Sequence, residues 1–302
     1  MTEAHGPRPD PRAFARPLAD PLDEGARLSA AVRESGLSLR ITGGVAIGMR
    51  CPSAAEPALR RAYGDIDLFG LRKEARDASK LLSSLGYEPD VRFNTLHGSR
   101  RLFFWDPLNS RQIDVFLDVF EMCHRLDLTK RLHLADTVSL ADLLMMKLQV
   151  VETNEKDLKD ILALLLDHTL GADDGVINIA YIAGLAGADW GLWRTTTMVA
   201  ERAGRYAAAL PEFEDRDRVH AQVRAFIDAI EDVSKSRSWK LRSLVGERSR
   251  WYQLPEESHL PTLSPHLTSP NRQGRPHRSR VRRSRLSTPH ACSSISTASR
   301  KT

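Results

Sequence analysis

Apolar and acidic residues alternate in Tyr63-Gly64-Asp65-Ile66-Asp67-Leu68-Phe69 with the period of two that marks a β-strand. That period places Asp65 and Asp67 on one face and Ile66 and Leu68 on the other. The same alternation recurs in Arg111 to Asp118, where Ile113, Val115 and Leu117 define an inward face and Asp114 and Asp118 an outward one. The β-prone run Arg101 to Trp105 precedes it, and Asp106-Pro107-Leu108-Asn109 between them is a turn signal. These segments predict a hairpin that lays Asp114 beside another strand of one sheet. Leu37 to Ile41 and Val91 to His97 also read as β-prone.

Helical spacing governs most of the remainder. Residues 22 to 36 carry Leu22, Ala26, Leu28, Ala31 and Val32 along one face. Arg72 to Leu85 reads as a second helix stopped by Gly86. Ser139 opens a helix bearing Leu140, Leu143, Leu144, Lys147 and Leu148, and Asn154 caps the next, with Leu158, Ile161, Leu162 and Leu165. A composition shift at Gly171 to Gly175 marks a boundary. Beyond it, Asn178 to Ala186, Arg194 to Leu210 and Arg216 to Lys235 read as helices without strand pattern. Trp190 and Trp193 read as packing anchors. Trp239 to Arg242 and Arg248 to Tyr252 read as a final helix whose aromatics dock while its basic groups reach solvent.

Composition narrows the class. Hydrophobic residues make up 41% and charged residues 27% of the 302, the balance of a globular protein, and no apolar run suffices to span a membrane. Residues 1 to 21 are rich in Pro, Arg and Asp and form no secretory signal. Cys51, Cys123 and Cys292 are odd in number and lack paired spacing, which points to a reducing cytoplasm rather than to disulfides or zinc. The net charge of +5 is misleading. Residues 261 to 302 hold nine Lys and Arg and no Asp or Glu, which leaves 35 basic against 39 acidic residues in residues 1 to 260. The tail is too poor in apolar residues to offset its ordering entropy and is expected to be disordered. Its arginines are compatible with nucleic acid, but an extension without a role accounts for them better. The expected organisation is a flexible start (1–21), an α+β domain (22–170), an α-helical region (176–260) and a basic tail (261–302).

The candidate chemistry lies in the strands. Thr42-Gly43-Gly44 follows an apolar run, and glycines there permit positive φ and a close approach of backbone to a ligand. Asp65 and Asp67 on one strand face are costly unless a cation bridges them, and oxygen ligands favour Mg²⁺. Taken singly, a Gly-Gly pair is usually a turn and an Asp-x-Asp a solvated face. The ordered set carries the signal.

With Gly43-Gly44, then Asp65-x-Asp67, then Asp114 among apolar residues, residues 37 to 170 resemble the DNA polymerase β-like nucleotidyltransferase superfamily. The nearest variants are the stand-alone bacterial minimal nucleotidyltransferases and abortive-infection, toxin-like enzymes. The resemblance implies a small mixed β-sheet core flanked by helices, with Asp65, Asp67 and Asp114 as catalytic and metal-binding residues for two Mg²⁺ ions. It places Gly43 and Gly44 on the triphosphate. Arg61 (or Arg60) before the acidic pair fits a phosphate-binding basic residue, and Lys147 with Lys156-Asp157-x-x-Asp160 resembles further elements of that group. One departure is the long interval from Gly44 to Asp65, in which Cys51 to Arg61 reads as a loop insertion. The implied activity is transfer of a nucleoside monophosphate from a nucleoside triphosphate to a hydroxyl on a small molecule, RNA or protein. The alternative is a catalytically silent nucleotide-binding or interaction module of a toxin–antitoxin-like pair.

Overall fold

Helix α1 (Pro21–Ser35) starts where the Asp20 carboxylate accepts from the Leu22 and Asp23 amides, and it ends at Gly36 in the left-handed region. It buries Leu28, Ala31 and Val32. Strand β1 (Arg40–Thr42) runs directly into α2 (Gly43–Arg50), so the Gly-Gly pair opens a helix. Strand β2 (Asp65–Gly70) follows, then α3 (Ala75–Ser84). Strand β3 (Glu88–Pro89) leads to α4 (Val91–His97), and the hairpin β4 (Arg101–Asp106) and β5 (Arg111–Leu117) completes the sheet. The described residues of this computed structural model are 16–132 and 136–254. The expectations for residues 1–15 and for the tail lie outside them.

The fold is a mixed five-stranded sheet, order β1-β2-β5-β4-β3, flanked by helices. Strands β2 and β5 are parallel and every other pair in the sheet is antiparallel. Ile66, Leu68, Ile113, Val115 and Phe104 are fully buried, as the alternation requires. The segment after β5 forms a short hairpin, β6 (Val119–Glu121) and β7 (Arg125–Asp127).

Helix α5 (Leu140–Leu148) is capped by Ser139, and α6 (Glu155–Asp167) by a full capping box of Asn154 and Asp157. A two-residue parallel pair, β8 (Leu170–Gly171) and β9 (Ile177–Asn178), precedes α7 (Ile179–Ala188), α8 (Trp190–Ala209), α9 (Arg216–Asp232) and α10 (Arg237–Val245). One core of buried side chains runs from Leu28 on α1 through Leu143 on α5 and Ile161 on α6 to Ile230 on α9. The tryptophans pack on one another, with Trp193 edge-on to Trp239 at 5.1 Å and Trp190 edge-on to Trp251 at 5.9 Å. The Arg242 guanidinium lies 4.7 Å from the Trp190 ring centre. No helix among the described residues is long and apolar enough to cross a membrane.

Two local expectations are corrected. Val91 to His97 is a helix, not a strand. The Asp90 carboxylate caps it by accepting from Phe93, and Asn94 both donates to and accepts from the Phe103 backbone, so the segment docks on the sheet as a helical turn. Asp118 does not extend the acidic face of β5. The strand ends at Leu117, Asp118 turns with φ +62, and its carboxylate accepts from the Arg72 amide at 2.9 Å.

Candidate active site

The sheet aligns one residue from each of four strands. Thr42 pairs with Asp67, Asp67 with Asp114, and Asp114 with Phe103. Directly paired residues on neighbouring strands share a face, so Asp67 and Asp114 project side by side. Asp65, two residues earlier on β2, shares that face and is exposed.

The electrostatics follow from this crowding. Burial, then the charges of Asp65 and Asp114, push the Asp67 carboxyl up to about 7, against the pull of Lys147 and Arg101. Burial also raises Asp114, and the Arg101 hydrogen bond and charge offset that only in part. Arg101 Nε donates to Asp114 Oδ1 at 2.7 Å. Arg101 stands two residues along β4 from Phe103, the direct partner of Asp114, and so reaches it on the diagonal.

The glycines fit this acidic row closely. Gly43 has φ +63, and a Cβ there would collide with the Asp67 carboxylate. A Cβ on Gly44 would collide with the Arg61 guanidinium. Arg61 is thus the basic residue at the Gly-Gly turn. Arg60 instead faces outward and donates to the Ala55 carbonyl. No side chain caps the first turn of α2, because Thr42 Oγ1 donates to Met146 Sδ instead. The amides at that helix end therefore keep their donors for another partner.

A second, self-neutralising cluster adjoins Gly44. Arg61 pairs with Asp160 through Nε at 2.7 Å and Nη2 at 2.8 Å. Lys147 on α5 donates to Asp157 at 2.8 Å and lies 2.9 Å from Asp160, both on α6. Burial alone would lower the Lys147 ammonium, but Asp160 and Asp157 outweigh it and hold it protonated. The Arg61 guanidinium also lies 4.4 Å from the Tyr63 ring centre. Two cations thus face two carboxylates here, whereas the acidic row sets three carboxylates against Arg101 alone. The row therefore holds more carboxyl groups than cations, which adds to the effect of burial in raising Asp67 and Asp114.

All seven residues singled out in the sequence (Gly43, Gly44, Arg61, Asp65, Asp67, Asp114 and Lys147) fall in or beside these two clusters. Sequence reasoning missed Arg101, and it missed that Asp160 ties Arg61 to Lys147. The i, i+3 spacing of Asp157 and Asp160 was the available signal, since it places both on one helical face. The donor set suits a hard divalent cation, being carboxylate oxygen with uncompensated charge. Among the described residues, however, no three acidic, His or Cys groups are drawn into one cluster that could hold an ion. No family model matches the chain, and no curated protein matches it in sequence.

Proposed function

We propose that this chain is a Mg²⁺-dependent nucleotidyltransferase of the DNA polymerase β-like superfamily, transferring a nucleoside monophosphate to a hydroxyl with release of pyrophosphate. The observation that carries this reading is the register of β2 on β5, which sets Asp67 beside Asp114 with Asp65 on the same face. Mg²⁺ held by these carboxylates would neutralise phosphate charge and ease loss of the acceptor's proton. The uncapped start of α2 at Gly43 and Gly44 offers backbone donors to the triphosphate. Arg61, beside Gly44, is a guanidinium that could turn to phosphate if a triphosphate displaced it from Asp160. The acceptor oxygen forms the new bond to the α-phosphorus as the bond to the bridging oxygen breaks.

One observation favours the second reading, a nucleotide-binding module without turnover. Arg61 and Lys147 are both engaged by Asp160, so neither cation is free for phosphate. The test is incubation with each labelled nucleoside triphosphate, Mg²⁺ and cell extract, with Asp65→Asn in parallel. Label transferred by wild type and lost in Asp65→Asn supports the enzyme. Tight nucleotide binding with no transfer to any component supports the module.

A further inference from the structure

We infer that Arg101 takes the place of a second metal ion, so that the site loads a single divalent cation on Asp65 and Asp67 while Asp114 stays paired to the protein's own guanidinium. The inference rests on the nucleotidyltransferase reading and departs from its two-ion form.

The three carboxylates are not equivalent. Among the described residues, the side chains of Asp65 and Asp67 have no hydrogen-bond or ion-pair partner. Asp114 has one, Arg101 at 2.7 Å, and the pair is largely withdrawn from water, its side chains 29% and 5% exposed respectively. Charge-assisted bonds of this kind are strong when desolvated, and removing one partner leaves a buried charge uncompensated.

The guanidinium is also fixed on its other sides. Its carbon lies 5.0 Å from the Phe116 ring centre and 6.0 Å from that of Phe93. Phe93 is itself set edge-on against Phe103 at 5.9 Å. The α4 turn that presents Phe93 is pinned to β4 through Asn94. A cation held this way does not swing aside cheaply, and a divalent ion on Asp114 would sit beside it against strong like-charge repulsion.

This arrangement makes Arg101 a positioning residue with a defined consequence. Its Nε occupies Asp114 Oδ1 and leaves Oδ2 without a hydrogen bond. As the acceptor oxygen bonds to the α-phosphorus, its proton passes to Asp114 Oδ2. The electron pair of the breaking bond leaves with pyrophosphate.

The test is an Mn²⁺ titration of the full chain, read as bound ions per chain by electron paramagnetic resonance, with circular dichroism as the check on folding. Wild type should bind one ion. Asp67→Asn should bind none and Asp114→Asn still one. Arg101→Gln should gain a second ion that Arg101→Gln/Asp114→Asn loses, while Arg101→Lys keeps the wild-type count. If Arg101→Gln fails to fold, Asp114→Asn in the wild-type background decides alone, because an unchanged count supports the inference. Two ions in wild type, one of them lost in Asp114→Asn, would overturn it, as would a single ion in folded Arg101→Gln. Those results would leave the nucleotidyltransferase reading standing. Absence of Mn²⁺ binding in both wild type and Arg101→Gln would overturn both.

Discussion

Asp67 and Asp114 stand directly opposite one another on two parallel strands, 47 positions apart in the chain and adjacent in the sheet. The apolar residues that alternate with them, Ile66, Leu68, Ile113 and Val115, are fully buried and help hold the two strands in this register. A one-residue slip would turn one carboxylate into the core, so burial of these aliphatics also fixes the acidic row.

Asp65→Asn tests catalysis. The substitution is nearly isosteric and removes one charge from the row. Transfer should fall on the order of a thousand-fold or more, the expected loss when a metal-held transition state loses a ligand. Stability without metal should hold or rise slightly, because like-charge repulsion is relieved. Equal rates for variant and wild type in the labelled-nucleotide assay would sink the enzyme assignment.

The raised Asp67 carboxyl has a thermodynamic signature. Its ordinary value is 3.8 and its folded value about 7, so between them the folded chain holds a proton that the unfolded chain releases. That contribution to stability is complete at low pH and is lost as pH rises through the folded value. In chelator-treated protein the melting temperature should therefore decline from about pH 4 to about pH 7, and Asp67→Asn should flatten the decline. Added Mg²⁺ should restore stability most at the alkaline end. A profile identical in wild type and Asp67→Asn would show that the carboxyl titrates normally.

Asp160, itself buried, is the shared partner of two partly buried cations, Arg61 and Lys147. Asp160→Ala should destabilise the fold by about 3 kcal/mol, because Arg61 loses its ion partner while Lys147 keeps Asp157. Equilibrium urea denaturation measures it. The exposed pair Lys80–Asp77 provides the control, since its loss should leave the midpoint almost unmoved. Similar midpoint shifts for the two variants would mean that Asp160 is solvated in solution.

Gly43 is the position least tolerant of a side chain. Its φ of +63 and its contact with Asp67 both oppose a Cβ. Gly43→Ala should cost about 1–3 kcal/mol from the backbone alone and should also displace the Asp67 carboxylate. Thermal melts should show the first effect and weakened Mn²⁺ binding the second. An alanine variant with wild-type melting and ion affinity would remove the close-approach argument.

By itself the chain determined those features whose cause is local. The period-two alternation in β2 and β5, the Asp106 to Asn109 turn and the caps at Ser139 and Asn154 each act within a few residues, so strand faces and helix starts could be read directly. The Gly-Gly pair announced a special backbone position, and Gly43 occupies one. Tertiary structure decided the rest. Val91 to His97 has β-prone residues, yet Asp90 and the docking of Asn94 on Phe103 outweigh that preference. Asp118 follows the alternation on paper but lies beyond the last paired residue, where the chain turns. The pairing of Arg61 with Asp160 spans 99 positions and that of Arg101 with Asp114 crosses a hairpin. Neither leaves a periodic trace, because an ion pair depends on where packing brings two side chains and not on the residues between them.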